Sequence, residues 1–204
     1  DESHKMFLAG HALETFKALE STQLLADFLP ETHEAMQNKT LCREFIYLAL
    51  KSTDSRISQG KPINPGFLYA CFLWWPILDA KQDGIENGLS PAEAMQRASA
   101  KTIERQVKTI SIPKRFTQFM RDVWTLQHRL EMRRGRNLLR LLEHKCFRAA
   151  YDVLLLRSES GEIDPRAAEW WTEIQTLNSV EQNQMIKAMR PKHRHQKTRK
   201  RKSR

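Results

Sequence analysis

The chain has 204 residues, of which 40% are hydrophobic and 8% aromatic, and its formal net charge is +10. A chain this apolar is not intrinsically disordered throughout, and its length suits one domain, or one domain with a tail. Only seven glycines are present, strand-like alternation is nearly missing, and most of the chain reads at helical period. This predicts an all-α fold, an irregular helical bundle or array, with a helical body over 1–189 and a disordered basic C-terminal tail over 190–204.

In chain order, residues 2–9 and 11–20 read as short helices broken at Gly10. Residues 22–36 hold another, with Leu24, Leu25 and Phe28 inward and Pro30 as a break. Thr40 is a suitable N-cap for a helix over 41–52, followed by a loop, "TDSRISQGKPI". Asn64-Pro65 starts the next helix, Asn as cap and Pro in the first turn. Its run "FLYACFLWWPIL" (67–78) is apolar on all sides, which places it centrally in the bundle; it is too short to span a bilayer. Pro76 should kink or end it. "SPAE" (90–93) is a capping box opening a helix to about Ile110. Pro113 opens another to about Gly135. A helix over 137–157 follows, with Leu138, Leu141, Leu142, Phe147, Ala150, Val153 and Leu154 at core spacing. Asp164-Pro165 starts the last one, carrying Trp170 and Trp171, both read as packing residues.

Charge is uneven along the chain. Residues 1–96 are net −5, residues 97–148 carry 14 Lys/Arg against 4 Asp/Glu, residues 149–189 are net −4, and residues 190–204 hold 9 basic and no acidic groups. Two positive blocks on an acidic background point to a polyanionic partner. Plotted at 100° per residue, the helix from Pro113 has Phe116, Phe119, Met120, Val123, Leu126 and Leu130 on one side. Lys114, Arg121, Arg129 and Arg133 fall mostly on the other, with His128. Arg133, Arg134, Arg136 and Arg140 cluster at its end. Arginine's planar fork suits phosphate and stacks on bases. The candidate polyanion-binding residues are Lys114, Arg115, Arg121, Arg129, Arg133, Arg134, Arg136 and Arg140, with Arg199, Lys200, Arg201 and Lys202 in the tail. Such backbone contact gives dissociation constants of ~10⁻⁴ to 10⁻⁶ M, strongly salt-dependent.

Catalytic patterns are lacking. No Gly-rich phosphate loop precedes a helix, no two histidines have zincin spacing, and no D-x-D pair is available to hold two metal ions. Asp54 and Arg56 read as loop-ordering residues. Cys42, Cys71 and Cys146 have neither ligand nor redox spacing and read as buried free thiols in a reducing cytoplasm. The opening residues do not read as a signal peptide. Asp1 falls within a helical pattern, which suggests a processed or excised piece.

The ordered series "KSTDSRI" (51–57), "INPGFLYACFLWWPIL" (63–78), "SIPKRFTQFMRDVWTLQHRL" (111–130) and "LLEHKCFRAAYDVLLLRSE" (141–159), with "EWW" (169–171) and the basic tail, resembles the C-terminal helical part of the bacterial poly(A) polymerase I family. These are class II nucleotidyltransferases related to the CCA-adding enzymes. The resemblance covers about residues 1–189 in order, and the tail by composition. It implies an ATP-dependent polynucleotide adenylyltransferase that adds adenosines to single-stranded RNA 3′ ends and marks RNA for decay. It also implies that the catalytic head, with its D-x-D, and the ATP-reading neck lie elsewhere. No catalytic, cofactor-binding or metal-binding residue therefore falls in this chain. ATP and Mg²⁺ belong to the head, and the partners are RNA, that head and neck, and RNA-decay proteins. A freestanding helical adaptor that binds RNA or protein is the alternative; duplex DNA ranks last, for want of a base-reading element.

Overall fold

The computed structural model describes residues 5–133 and 138–189. Among them there is no strand. The order is η1 (Lys5–Phe7), α1 (Ala12–Ser21), α2 (Leu25–Phe28), α3 (Pro30–Asn38), α4 (Thr40–Ser58), α5 (Pro65–Phe72) and α6 (Trp74–Glu86). Then come α7 (Pro91–Gln106), α8 (Lys114–Met132), η2 (Leu138–Leu141), α9 (Phe147–Glu159), α10 (Arg166–Ile174) and α11 (Ser179–Met189). No helix among the described residues is long and apolar enough to cross a membrane.

The centre is α5. Every residue from Gly66 to Phe72 is buried, and α4 and α8 pack against it. Its start is the expected one: Asn64 is the N-cap, its side-chain oxygen accepting from Gly66 N–H at 2.9 Å, and Pro65 occupies the first turn. Gly66 permits the close approach of α8, since a Cβ there would lie 2.9 Å from Cδ1 of Phe119. The apolar run does not continue as one helix. It breaks at Leu73, and Pro76 falls in the first turn of α6. Proline has no N–H to give the carbonyl four residues back. That carbonyl, of Phe72, instead accepts from the buried Thr32 hydroxyl at 2.9 Å, which ties α3 to the α5–α6 junction.

Around this centre, α6 and α7 form a tight hairpin, and α8 packs between α5, α7, α9 and α10. The α7 start is the expected capping box, with the Ser90 and Glu93 side chains each serving the other's backbone N–H; the Ser90 hydroxyl, and then its backbone N–H, donate to the exposed Glu93 carboxylate and hold it below its usual range. Trp124 and Trp171 are fully buried, and their indole N–H groups donate to Ala70 and Leu130 carbonyls at 2.9 and 2.7 Å. Trp170 is buried too, as packing residues should be. All three cysteines are buried and free.

A buried polar knot joins α6, α8 and α9. Arg157 donates to Glu162 at 2.8 Å, to Glu131 at 3.0 Å and to the side chain of Gln127 at 3.2 Å. Its guanidinium lies 4.7 Å over the Trp74 ring, whose N–H donates to Glu162 at 2.8 Å. Gln127 in turn donates to the Ala150 carbonyl at 2.9 Å.

Several expected elements differ. Leu24 is exposed; Leu25 and Leu29 are the buried pair, because the segment splits into α2 and α3 at Leu29 and Pro30 opens the second helix. Thr40 is the first residue of α4 and caps nothing; extended Lys39 holds the cap position. The stretch expected as a loop from Thr53 is helical to Ser58. Gly60, at φ +66°, turns the chain out, and Lys61 N–H returns to the Arg56 carbonyl. Asp54 orders a helix end rather than a loop: its carboxylate accepts from Ala12 and Leu13 N–H at 2.7 and 3.1 Å, capping α1 from a distance. The segment expected as one helix over 137–157 is η2, a turn and α9; in the turn, the His144 ring accepts from Cys146 N–H at 3.1 Å. A further helix, α11, follows α10. Asn178 and Glu181 cap it reciprocally.

Candidate nucleic-acid interface

α8 is strongly amphipathic. Phe116, Met120, Val123, Leu126 and Leu130 are buried as the wheel predicts, and Phe119 is half-buried. The opposite face supplies the cations, and the structure sorts them into different roles.

Arg121 and Arg129 meet at one place. They line a groove of about 610 Å³ between α6, α7 and α8. Its apolar surface comes from Pro91, Ala92, Met95 and Trp124, and its polar edge adds Lys81, His128, Ser90 and Gln96. No Asp or Glu lines it. Among the described residues, Lys81, Arg121 and Arg129 have no carboxylate partner, unlike Lys39, Lys145 and Arg148. Their charge is therefore not neutralised by a carboxylate among the described residues. An apolar-floored groove rimmed by unpaired cations fits a phosphate backbone with its attached bases.

The other candidates lie elsewhere. Lys114 is exposed in the first turn of α8, and the Arg115 guanidinium sits 4.7 Å over the neighbouring Phe116 ring. Arg133 ends α8 in the left-handed region at φ +48°, and its guanidinium donates to the Arg166 carbonyl at 3.1 Å. That exposed contact adds to the buried Trp171–Leu130 bond between α10 and α8, so Arg133 has a structural contact as well as a charge. Arg140 is exposed on η2. Arg134, Arg136, Arg199, Lys200, Arg201 and Lys202 lie outside the described residues.

Lys81 is the groove residue that the sequence reading missed. It lies on α6, on another element from the α8 arginines, and only the α6–α7 hairpin brings it to them; no local pattern encodes that. His128 fell on the cationic side of the wheel, so its place at the rim was legible. Among the described residues no group of three His, Cys, Asp or Glu side chains is placed to hold a metal ion.

Comparison with known proteins bears on this geometry. A family model described as "Polymerase A arginine-rich C-terminus" matches residues 87–204. A second, described as "Probable RNA and SrmB- binding site of polymerase A", matches residues 1–36. The chain is similar to Poly(A) polymerase I of Salmonella typhi, 36% identical over 191 residues, covering 91% of this chain and 41% of that protein. Poly(A) polymerase I of Escherichia coli O6:H1 is likewise 36% identical over 192 residues, with the same coverage. That of Haemophilus influenzae is 32% identical over 198 residues, covering 95% of this chain and 44% of that protein. The chain thus spans about two fifths of the length of these relatives.

Proposed function

This chain belongs to the family of the polymerase A arginine-rich C-terminus, and from that premise we propose that it is the RNA-holding helical body of a longer bacterial poly(A) polymerase. The whole protein adds adenosines from ATP to RNA 3′ ends and so feeds RNA to decay. The observation that carries the reading is the α7–α8 groove, where Lys81, Arg121 and Arg129 converge without a carboxylate. The body grips the strand through its phosphates while a catalytic head beyond this chain does the chemistry. ATP and Mg²⁺ are assigned to that head. The tail over 190–204, with nine Lys/Arg and no acid, acts as a second, separate polyanion tether. The partners are single-stranded RNA 3′ ends, the head and neck, and RNA-decay proteins, and the compartment is the cytoplasm.

Charge reversal tests this. Arg129 is exposed and Arg121 half-exposed, and neither belongs to the buried core, so Arg121→Glu and Arg129→Glu leave that core in place. Each should weaken RNA binding about uniformly across sequences and lower the slope of log K against log salt by roughly one. Filter binding at several salt concentrations reads both quantities. Unchanged affinity and slope would return these arginines to being a solvated helix face.

A further inference from the structure

We propose that a second pocket, on the opposite flank of α8, seats one nucleobase of the bound RNA strand. This rests on the RNA reading above and adds to it a base-binding site distinct from the phosphate-gripping groove.

The pocket is about 540 Å³ and lies between the α4–α5 corner, α8 and α9. That is an ordinary size for a small-ligand site. Phe67, Phe116 and Phe119 give it an aromatic wall, and Ile63, Pro62 and Pro65 an aliphatic one. Phe119 is half-buried, and its ring is held in place by Gly66, where even a methyl group would collide at 2.9 Å. Phe67 and Phe116 are nearly fully buried and back the wall, so Phe119 offers the face on which a base of any kind can stack.

One polar atom in the pocket is unexplained by the fold. Thr53 is 1% exposed, lines the pocket, and its hydroxyl has no hydrogen-bond partner. A helical threonine commonly returns its hydroxyl to a carbonyl one turn back; Thr53 does not. A buried hydroxyl left without a partner is destabilising, and a base edge would supply both a donor and an acceptor for it. At the rim, Arg148 is held at 2.9 Å and Arg56 at 3.8 Å by Asp152, and Lys145 at 3.3 Å by Asp122. Arg148 and Lys145 remain mostly exposed, so they are oriented by carboxylates yet open to a phosphate.

The two sites are linked by α8 itself. At 100° per residue, Arg121, Trp124 and His128 project to one flank and Phe116 and Phe119 to the other. Lys114, Arg115 and Arg129 cover the exposed ridge between. The two flanking sites are offset by roughly 10 Å along the helix axis. A single strand crossing that ridge would have its phosphates on the groove cations and a base in the Phe119 pocket.

The test compares two probes on the 204-residue chain: a fluorescein-labelled oligoadenylate, and the same oligomer with abasic positions. Phe119→Leu keeps an apolar contact with Gly66 but removes the stacking face. Thr53→Val removes the orphan hydroxyl in nearly the same volume, and its melting temperature should hold or rise, which separates a binding loss from a folding loss. Phe119→Leu should weaken oligoadenylate binding roughly fivefold to a hundredfold and leave the abasic oligomer unchanged; Thr53→Val should act in the same direction with a smaller loss. Equal losses on both probes, or none on either, would overturn the base site. So would free AMP that binds as tightly as the oligomer and loses that binding in Phe119→Leu, which would make the pocket a mononucleotide site. If Arg121→Glu weakens binding while Phe119→Leu does not, the RNA reading stands and the base site falls. If the unaltered chain binds neither probe, both fall.

Discussion

Replacing Arg157 by methionine should destabilise this protein more than almost any other single exchange of similar volume. The Arg157 side chain is 5% exposed and the side chain of its partner Glu162 10%. Removing the guanidinium leaves Glu162 buried with one remaining donor, the Trp74 indole N–H at 2.8 Å. It also strips Gln127 of its side-chain partner. Glu131 is about half exposed and rehydrates, so its share is small. Leaving a buried charge unpaired costs about 3–5 kcal/mol. At ~2–4 °C per kcal/mol for a chain of this size, the melting temperature should fall by ~6–20 °C. Urea unfolding should show a lower midpoint with an unchanged slope. The companion change Glu162→Gln in the same chain removes the stranded charge, so the double variant should be more stable than Arg157→Met alone. If Arg157→Met lies within about 1 kcal/mol of the unaltered protein, below the range for a broken buried pair, the knot is not the anchor described. A double variant less stable than the single one would refute the stranded-charge argument itself.

Further outcomes follow from other contacts. Thr32→Val removes the donor that, among the described residues, serves the Phe72 carbonyl; it should cost about 1–3 kcal/mol, read by urea unfolding. Asp152 is pushed above the usual carboxylate range by burial, partly offset by Arg148 and Arg56. The folded protein therefore holds that proton to higher pH than the unfolded chain does. Stability from this group is greatest at acid pH and declines as pH rises from 3.8 through the folded value. Melting temperatures across that window should show the decline, and Asp152→Asn should flatten it. Burial pushes the Cys42 thiol up to about 12 and the Cys71 thiol well above its ordinary value. A thiol reagent near neutral pH should find these two cysteines only after unfolding, when mass spectrometry should show both labelled.

What could be read from the sequence was what neighbouring residues decide among themselves. Asn64-Pro65, the Ser90–Glu93 box and the amphipathic α8 all appear where their local chemistry puts them. The misread places are those where a distant group wins. Residues 53–58 stay helical although mostly polar, with Asp54 serving the α1 N-terminus 42 residues away and Thr53 buried. The break between η2 and α9 has no glycine or proline to announce it; a His144–Cys146 contact and the burial of Leu138 and Leu141 shape it instead. The Asn178–Glu181 cap at the start of α11 is also set by residues three apart, so that helix start is locally encoded. The candidate site divides in the same way. Arg121 and Arg129 share a helix, so their pairing could be inferred from spacing. Lys81, the aromatic pocket and the unpartnered Thr53 hydroxyl depend on how α4, α6, α7 and α9 are stacked around α8.

The most direct test of the account is to ask where RNA touches the protein. A thiouridine-substituted, single-stranded oligoribonucleotide, photo-crosslinked to the chain and mapped by peptide mass spectrometry, answers that without any mutation. Crosslinked peptides should come from the α7 and α8 residues that line the groove, 91–99 and 121–129. Crosslinks confined to the α1–α3 end, with none on α7 or α8, would contradict it.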